Sequence, residues 1–342
     1  MRNKNLVGIL AGILLVSLIG GAQTSEKPHV VNIMIDADIS ASASKEQGIE
    51  TSESLKNIHE ILLAKDIGAT IFVPQDIVRS YAKLRVTEIG RDPKIELALS
   101  GNHSGEKLSV ESLSDQRQIL KTSKEYVEYC RVCGENEIIA LGFLPQSFDQ
   151  NKDTYKVLDE LGIKYDAGFQ AGVIYAPGHQ DDVWPYKLEG YELYAVPVST
   201  IELSGQKVPL QDMHFNESGL SSDVWYDALK DKFDESQGKN EPMVILLTKS
   251  VSGSGDYLDA LKRFIDFATS KDANFVTTMD LVNISRGEAY VPFANDTGEC
   301  TTCGQKENKS MITITSSGGT INNTATEGCP TCGQKNKTDT EI

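Results

Sequence analysis

A regular alternation of two kinds of segment, beginning near His29, is the feature that most constrains how this chain can fold. Short runs rich in Val and Ile, such as Val30 to Asp36 and Met243 to Thr248, are separated by amphipathic stretches whose apolar residues recur at helical spacing. Strands that alternate with helices build a parallel sheet, because each helix crosses back before the next strand begins. Repetition of this unit favours a barrel over an open sheet. We therefore predict an α/β fold, a distorted (β/α) barrel of about seven strands.

The same patterns predict most of the individual elements. Helices are predicted over Leu113 to Tyr129, Asp153 to Leu161, Asp223 to Phe233 and Tyr257 to Ala268, and over a segment with Leu55, Ile58, Ile61 and Leu62 on one face. Further strands are predicted over Ala69 to Val73, Ile95 to Leu99, Ile138 to Phe143, Tyr165 to Phe169, Glu192 to Val198 and Phe275 to Met279. Together these elements define a barrel domain over residues 28–290.

Residues 1–22 have the pattern of a segment that directs export. Arg2 and Lys4 precede an almost wholly apolar stretch from Leu6 to Ile19, and small residues follow up to Ala22. This pattern is typical of a signal peptide that is cleaved after Ala22. A retained membrane anchor is the alternative, since the stretch is just short of the roughly 20 residues that span a bilayer. Both interpretations predict a secreted or cell-surface protein.

Residues 291–342 form a tail rich in Thr, Ser, Asn, Gly and Lys, with too few large apolar side chains to join the barrel core. Its cysteines lie in two Cys-x-x-Cys-Gly units, Cys300/Cys303 and Cys329/Cys332, on either side of a short strand-like run. This spacing suits a small zinc ribbon, whereas export favours disulfides, and both alternatives stay open. A third pair, Cys130/Cys133, ends a predicted helix and could form a local disulfide.

Sequons and net charge agree with an exported protein. Asn residues followed two positions later by Ser or Thr are Asn102, Asn216, Asn283, Asn295, Asn308, Asn322 and Asn336. Of these, Asn216 and the four in the tail are the predicted glycosylation sites, because the tail has the composition of an exposed, glycosylated segment. The net charge of -16 and the pI near 4.8 argue against nucleic acid as a partner, since such binding depends on Lys and Arg neutralising phosphates.

Polar residues end several of the apolar runs, in segments that cover Val30 to Asp38, Glu96 to Ser104 and Val244 to Gly255. Together, over about His29 to Arg286, these segments resemble the polysaccharide deacetylases, carbohydrate esterases that remove N- or O-acetyl groups from chitin, peptidoglycan and related glycans. The resemblance implies hydrolysis of carbon–nitrogen (non-peptide) bonds in acetylated carbohydrate. In that chemistry an Asp and two His hold a divalent metal, and a second Asp acts as base on the bound water.

The resemblance also assigns roles to particular residues. By position, Asp36 matches the base of the family, and His103 matches its first metal-binding His. Ala37 lies at the position implied for the metal carboxylate. Asp38 follows it on the same strand face as Asp36, so Asp38 could substitute as a ligand or could simply begin the loop.

Other positions implied by the resemblance have changed. Lys107 lies at the position of the second metal-binding His, Leu144 at that of an Arg, and Thr248 at that of the catalytic His. An ammonium group repels a cation, and a metal site needs about three protein ligands with one open position. A divalent metal in the barrel is therefore not expected, and no cofactor is assigned there.

Two clusters elsewhere could supply substitute ligands. His179, Asp181 and Asp182 lie in a Gly- and Pro-rich loop, and His214 lies close to Glu217. The alternative, which we favour, is that these are ordinary solvated residues, because no strand or helix fixes their spacing. His29 and His59 are interpreted as strand-edge and helix-surface residues without a functional role.

Three hypotheses follow for function. The first is an exported protein with a deacetylase-like barrel that has lost hydrolysis and binds surface polysaccharide or an envelope protein. The second is an active metal-dependent deacetylase that uses Asp36 and His103 with ligands rebuilt from other loops. The third is a structural module of the cell envelope whose Cys-rich tail mediates assembly.

Overall fold

A computed structural model describes residues 29–129 and 140–288 of the chain. The strands, in chain order, are β1 (Val30–Asp36), β2 (Ala69–Val73), β3 (Ile95–Leu99), β4 (Gly142–Phe143), β5 (Tyr165–Gln170), β6 (Tyr186–Lys187), β7 (Tyr194–Val198), β8 (Thr200–Leu203), β9 (Gln206–Pro209), β10 (Met243–Thr248) and β11 (Asn274–Val276). The helices are α1 (Lys45–Ala64), α2 (Gln75–Val78), α3 (Lys83–Ile89), α4 (Leu113–Tyr129), α5 (Lys152–Glu160), α6 (Asp212–Glu217), α7 (Ser222–Lys239), α8 (Lys249–Ser252), α9 (Gly255–Thr269) and α10 (Thr278–Ser285).

The main sheet is parallel from β10 through β1, β2, β3, β4 and β5 to β7, and β6 adds antiparallel to β7. Strand β1 is central, because Ile35 pairs with Leu247 of β10 on one side and with Ile71 of β2 on the other. Strand β11 pairs with the first residues of β1, over Val30–Asn32. Strands β8 and β9 form a separate antiparallel hairpin.

The barrel closes between β7 and β10 through isolated hydrogen bonds, which β10 makes with residues that directly follow β7 and β9. No ladder joins these two strands in the described part of the chain, but Ser199 N donates to Val244 O at 3.0 Å. The hydroxyl of Ser199 accepts from Val244 N at 2.9 Å, and Leu246 N donates to Leu210 O at 3.1 Å. The sheet is therefore a distorted (β/α) barrel, which confirms the fold class predicted from the alternation.

The hydrophobic core lies between the outer face of the strands and the helices around them. Ile33 and Ile35 are fully buried and belong to the same apolar cluster as Leu55, Ile58 and Leu62 of α1. These helix residues share one face of α1, and each fully buried Ile or Leu contributes about 1.5–3 kcal/mol. A capping box at Ser44, whose hydroxyl accepts from Gln47 N while the Gln47 side chain accepts from Ser44 N, fixes where α1 begins.

Alternate residues of the strands face inward, and at the amino end of the barrel they form a hydrogen-bonded network. Glu96 Oε1 accepts from the Tyr165 hydroxyl at 2.8 Å, and Glu96 Oε2 accepts from Thr70 Oγ1 and Met279 N, both at 3.0 Å. Thr278 N donates to Thr70 Oγ1 at 2.8 Å. The first turn of α10 thus covers this end of the barrel, and its backbone N–H groups are satisfied by side chains of the strands.

Most predicted elements are confirmed, and the main error is at the last strand. The helix Leu113–Tyr129 and the strand Met243–Thr248 have the predicted bounds. The strand predicted over Phe275 to Met279 is wrong at its end, because Thr277 caps a helix: its hydroxyl accepts from Asp280 N, and the Asp280 carboxylate accepts from Thr277 N. The β8–β9 hairpin, α6, α8 and α10 were not predicted.

Several predictions lie outside the described residues. They concern the export segment 1–22, Cys130/Cys133, and in the tail Cys300, Cys303, Cys329, Cys332, Asn295, Asn308, Asn322 and Asn336. Asn216 is described, and it is exposed near the end of α6. Among the helices of residues 29–129 and 140–288, none combines the length and the apolar character needed to cross a membrane.

Candidate functional site

The candidate site lies at the carboxyl ends of the parallel strands, the edge at which (β/α) barrels place their functional groups. Asp36 ends β1 and is half-buried. The Gln146 side chain, just after β4, donates from Nε2 to Asp36 Oδ1 at 3.3 Å and to Ser100 Oγ at 2.6 Å. Ser100 Oγ in turn donates to Leu144 O at 3.1 Å. This chain of hydrogen bonds fixes the orientation of Gln146 and, through it, that of the Asp36 carboxyl.

The environment of Asp36 favours the protonated acid. Its pKa is raised to about 7, chiefly by burial and also by the negative charge of Asp38, with a smaller contribution from Asp212. The hydrogen bond from Gln146 and the charge of Lys249 act in the opposite direction. A carboxyl group with a pKa near neutrality can both accept and release a proton at physiological pH, which is what a general base or acid requires.

A lysine that the sequence analysis did not single out lies beside the two aspartates. Lys249 follows β10 directly and is largely buried, with a side chain 10% exposed, and its Nζ lies 3.8 Å from Asp38 Oδ1. Asp38 Oδ2 accepts from Ser250 Oγ at 3.3 Å, whereas no hydrogen bond to Oδ1 is made within the described residues. Burial raises the pKa of Asp38, and the Lys249 ammonium lowers it. The site therefore contains its own cation.

A third carboxylate, Asp212, fixes the end of β10. It is fully buried at the first position of α6, and Thr248 N donates to its two oxygens at 2.8 and 3.0 Å. Met213 N donates to Asp212 Oδ1 at 2.6 Å. Burial raises the pKa of Asp212 to about 7, against the effect of these hydrogen bonds. Because Thr248 immediately precedes Lys249, Asp212 determines where the lysine leaves the strand.

His103 does not lie with these carboxylates. Its Nδ1 is 3.0 Å from Ser104 O, and the side chain lines a cavity between α2 and α4. Within the described residues, His103 makes no hydrogen bond or ion pair with Asp36 or Asp38. Lys107 is exposed. Thus, among the described residues, no hydrogen bond or ion pair joins the base and the first metal-binding His implied by the resemblance.

The clusters considered as substitute ligands are also separate from Asp36. His179 pairs with Asp182, Nδ1 to Oδ2 at 2.6 Å, and its ring stacks on Tyr186 at 4.0 Å between centroids. Asp181 lines another cavity, and His214 lies on α6 beside Phe215. Across residues 29–129 and 140–288, no group of three or more His, Cys, Asp and Glu side chains is arranged to hold a metal ion.

The donor set therefore does not fit the divalent metal that the resemblance implies. Ala37 offers no side-chain ligand and is fully buried in the apolar core. Asp38, the suggested replacement, has the Lys249 ammonium beside it, and a positive charge at that distance opposes the entry of a second cation. We derive no metal-dependent step for this site.

Comparison with solved structures finds the same architecture at low sequence identity. A candidate polysaccharide deacetylase from Mycobacterium smegmatis matches with a TM-score of 0.60 and 19% identity, over 77% of this chain and 91% of its own. A second candidate, from Pseudomonas aeruginosa PAO1, matches with a TM-score of 0.61 and 14% identity, over 78% and 93%. The chain has the polysaccharide deacetylase fold. The allantoinase Puue shares this fold, with a TM-score of 0.59 and 17% identity over 77% and 93%.

Neither the protein-family models nor the curated proteins give a match to this chain. The similarity to these solved structures confirms the fold that the sequence motifs imply. At identities of 14–19% it is evidence for the fold and not for an activity. The resemblance implied a role for Asp36, and the structure places that residue in the site. Lys249 also follows an apolar run, Met243 to Thr248, but the resemblance implies a role only for Thr248 there. Asp212 has no signal in the periodicity, since it follows a hairpin that was not predicted.

Proposed function

We propose that this chain is an exported, cell-surface protein in which a polysaccharide deacetylase fold binds glycan or an envelope protein without metal-dependent hydrolysis. The observation that supports this most directly is the Lys249 ammonium at 3.8 Å from Asp38, at the end of the barrel where the resemblance implies a metal. An ammonium group neutralises carboxylates, but it cannot polarise a carbonyl or activate water as a divalent metal does.

The remaining chemistry of the site supports binding better than turnover. Asp36 has the protonation behaviour of a base, yet no group of side chains that could hold a metal ion is arranged beside it in residues 29–129 and 140–288. The side chains of Asp36, Asp38, Gln146 and Lys249 offer both donors and acceptors at the carboxyl end of the barrel. Mixed polar groups of this kind suit the hydroxyl and amide groups of a saccharide.

The cellular location in this proposal depends on the ends of the chain. The export segment at residues 1–22, the sequons and the acidic composition support a secreted or surface-exposed protein, anchored in the membrane if the segment is retained. Glycan as ligand is supported by the fold, because the similar solved structures include candidate polysaccharide deacetylases. An envelope protein is the alternative partner.

The decisive experiment measures acetate release from N-acetylglucosamine oligomers and partly acetylated glycans by the full chain, with and without added Zn²⁺ or Co²⁺. Calorimetric titration of Zn²⁺ accompanies it, with a variant in which Cys300, Cys303, Cys329 and Cys332 are changed to Ser, so that metal bound by the tail is subtracted. We expect no acetate release with any metal, and no zinc binding in the variant that lacks the four tail cysteines. A glycan that binds the same folded sample then supports the binding role.

A second candidate function is an active deacetylase with rebuilt ligands, and the raised pKa of Asp36 favours it. In that case metal-dependent acetate release would be present in the unmodified chain and lost in Asp36→Asn. Lys249→Met serves as a further variant. If Lys249 takes part in catalysis, Lys249→Met loses activity. If the enzyme binds a metal despite the charge of Lys249, Lys249→Met binds that metal more tightly.

A further inference from the structure

The loop after β4, residues 145–150, is held in a strained conformation against the Asp36 site. It contains Gln146, whose side chain donates to Asp36. The next two residues, Ser147 and Phe148, have φ angles of 53° and 58°, in the left-handed region that residues with a side chain rarely adopt. Such strain persists only where the surrounding contacts hold the backbone in place, and it is concentrated at functional sites. The contacts that hold this loop therefore control the position of Gln146.

Both ends of the loop converge on one glycine of β5. An added Cβ at Gly168 would overlap Pro145 Cγ and Gln150 Nε2, so the two ends pack directly on the backbone of the strand. Gln150 Nε2 donates to Gly168 O at 3.2 Å, and Gly168 N donates to Asp166 Oδ1 at 2.8 Å. Gly168 thus links the base of the loop to the carboxyl group of Asp166.

Two buried oxygens beside this glycine have no hydrogen-bond donor within residues 29–129 and 140–288. They are Asp166 Oδ2 and Gln150 Oε1. A buried acceptor without a partner is costly, and each such group in a folded protein needs an explanation. An ionised carboxylate and an amide oxygen are both acceptors, whereas a protonated carboxyl group also carries an O–H donor. A single proton on Asp166 therefore supplies the donor that this pair lacks.

The surroundings of Asp166 favour that proton. Tyr165 points into the barrel, so Asp166 faces the helices, where it is fully buried. Burial raises the pKa of Asp166 to about 7, although Gly168 N and the Gln150 amide act in the opposite direction. In the described part of the chain, no cation pairs with it. The side chains and strand positions around it are uncharged at neutral pH: Tyr155 of α5, Tyr186 of β6, Phe143 of β4 and Ala195 of β7.

We propose that Asp166 and Gln150 form a pH-sensitive latch on the loop that carries Gln146. While Asp166 is protonated, its Oδ2–H group donates to Gln150 Oε1 and holds the base of the loop on β5. When the proton passes to water, two acceptors are left without a donor, and the strain in the loop favours its release. Gln146 then leaves the Asp36 carboxyl, so the site becomes more open as pH rises. The inference rests on the proposed function in taking the Asp36 site as the ligand site.

Other carboxyl groups that bond to the loop or within it respond to pH in the opposite sense. Asp149 accepts from Ser109 N at 2.7 Å and from Ser109 Oγ at 2.8 Å, and ionisation strengthens both hydrogen bonds. Asp36 likewise becomes a better acceptor for Gln146 Nε2 when it ionises. A rise in pH would tighten the loop through either of these groups, whereas the Asp166 latch predicts that the loop loosens.

Hydrogen exchange of the full chain, without ligand, at pH 5 and pH 7.5 tests the latch. The amides of Phe148 and Asp149 donate to Pro145 O and Gln146 O, so their exchange reports release of the loop. After correction for the intrinsic exchange rate, we expect opening to be about tenfold more frequent at pH 7.5. The stability contributed by a group with a raised pKa is present at low pH and is lost as pH rises through that pKa.

Two variants are expected to act in opposite directions. Asp166→Asn supplies an amide donor that cannot ionise, so the loop amides should be protected at both pH values. Gln150→Met removes the acceptor, so the loop should be released at both. Asp153→Asn and Gln118→Met, exposed changes on α5 and α4, should keep the tenfold difference. Gln150 is partly exposed, so Gln150→Met provides the test even if Asp166→Asn fails to fold.

The remaining outcomes count against the latch. Equal protection at the two pH values in the unmodified chain, or a tenfold difference that persists in Asp166→Asn, would overturn it. Stronger protection at pH 7.5 would assign the response to Asp36 or Asp149 instead. Because the measurement needs no ligand, its failure leaves the proposed function as it stands. Absence of glycan binding by a chain whose loop shows the expected pH response would overturn the glycan part of the proposed function and leave the latch intact.

Discussion

The two ends of the barrel both enclose a carboxyl group, and they surround it in opposite ways. At the amino end, Glu96 accepts hydrogen bonds from Tyr165, Thr70 and Met279, each at 2.8–3.0 Å. At the carboxyl end, Asp38 Oδ1 accepts no hydrogen bond from the described residues, and its nearest cation, Lys249 Nζ, lies 3.8 Å away. The first carboxyl group is saturated with partners, and the second retains capacity for more.

This difference separates a structural polar site from one that is suited to a ligand. A network in which every member is satisfied holds its elements together, and here it attaches α10 to β2, β3 and β5. A buried polar group with few partners carries a free-energy penalty, because the protein does not replace the hydrogen bonds that the group made with water. Groups of this kind are concentrated at functional sites. The carboxyl end of the barrel should therefore tolerate substitution better than the amino end does.

The largest expected effect is that of Glu96→Ala. This change leaves the Thr70 and Tyr165 hydroxyls and Met279 N without their acceptor, and each buried unsatisfied group is costly, so we expect the free energy of unfolding to fall by about 3 kcal/mol. Urea denaturation measures it. Glu53→Ala, an exposed change on α1, should stay within about 0.5 kcal/mol of the unmodified chain. A loss for Glu96→Ala as small as that control would contradict a structural role for the network.

An intermediate and pH-dependent effect is expected for Lys249→Met. The lysine lowers the pKa values of Asp36 and Asp38, so its removal raises both further above their unfolded values. The folded state then binds protons more tightly, and stability that is present at low pH is lost as pH rises through the folded pKa values. We expect a loss of about 2 kcal/mol at pH 8 and little loss at pH 5.

Denaturation of Lys249→Met at the two pH values tests this expectation. Lys262→Met, an exposed change of the same type on α9, should show no such dependence on pH. An equal loss at pH 5 and pH 8 would mean that Lys249 stabilises through packing of its methylene groups rather than through its charge.

The barrel could be predicted because its signals are local. Each buried strand is a short apolar run, and each helix has an apolar face, so the periodicity within about ten residues identifies the element. The end of β11 was predicted wrongly although its signal was also local: Thr277 and Asp280 have the spacing of a capping box, which marks the start of α10. A rule for helix starts would have corrected the strand prediction.

The candidate site was predictable only in part, because its contacts join distant positions. Asp36 could be predicted because the resemblance implies a base at this position. Its neighbours could not, since the contact of Ser250 with Asp38 joins residues 212 positions apart and depends on how β1 and β10 pair. His103 lies in a loop that begins with a left-handed glycine at Gly101, and its Nδ1 donates to Ser104 O rather than to a carboxylate; no periodic pattern encodes the path of such a loop.

The smallest expected effect is that of Asp36→Asn. It tests most directly whether the carboxyl end of the barrel differs from the amino end. Burial raises the pKa of Asp36 to about 7 from an ordinary 3.8, so the folded state favours the protonated acid. The stability this contributes is present below the unfolded pKa and is lost as pH rises through 7, where the acid must ionise in place. An uncharged amide avoids that ionisation. We expect Asp36→Asn to raise the free energy of unfolding by about 1 kcal/mol at pH 8, with almost no change at pH 5.

Asp234→Asn, at an exposed position of α7, provides the matched control and should show no difference between the two pH values. The sign of the change in unfolding free energy for Asp36→Asn distinguishes a ligand site at the carboxyl end of the barrel from a structural network. A gain at pH 8 means that Asp36 is retained at a cost to stability, as expected for a group that meets a ligand. A loss comparable to that of Glu96→Ala would mean that the Gln146–Asp36 contact closes this end of the barrel as Glu96 closes the other. The polar residues around Lys249 would then be a second structural network.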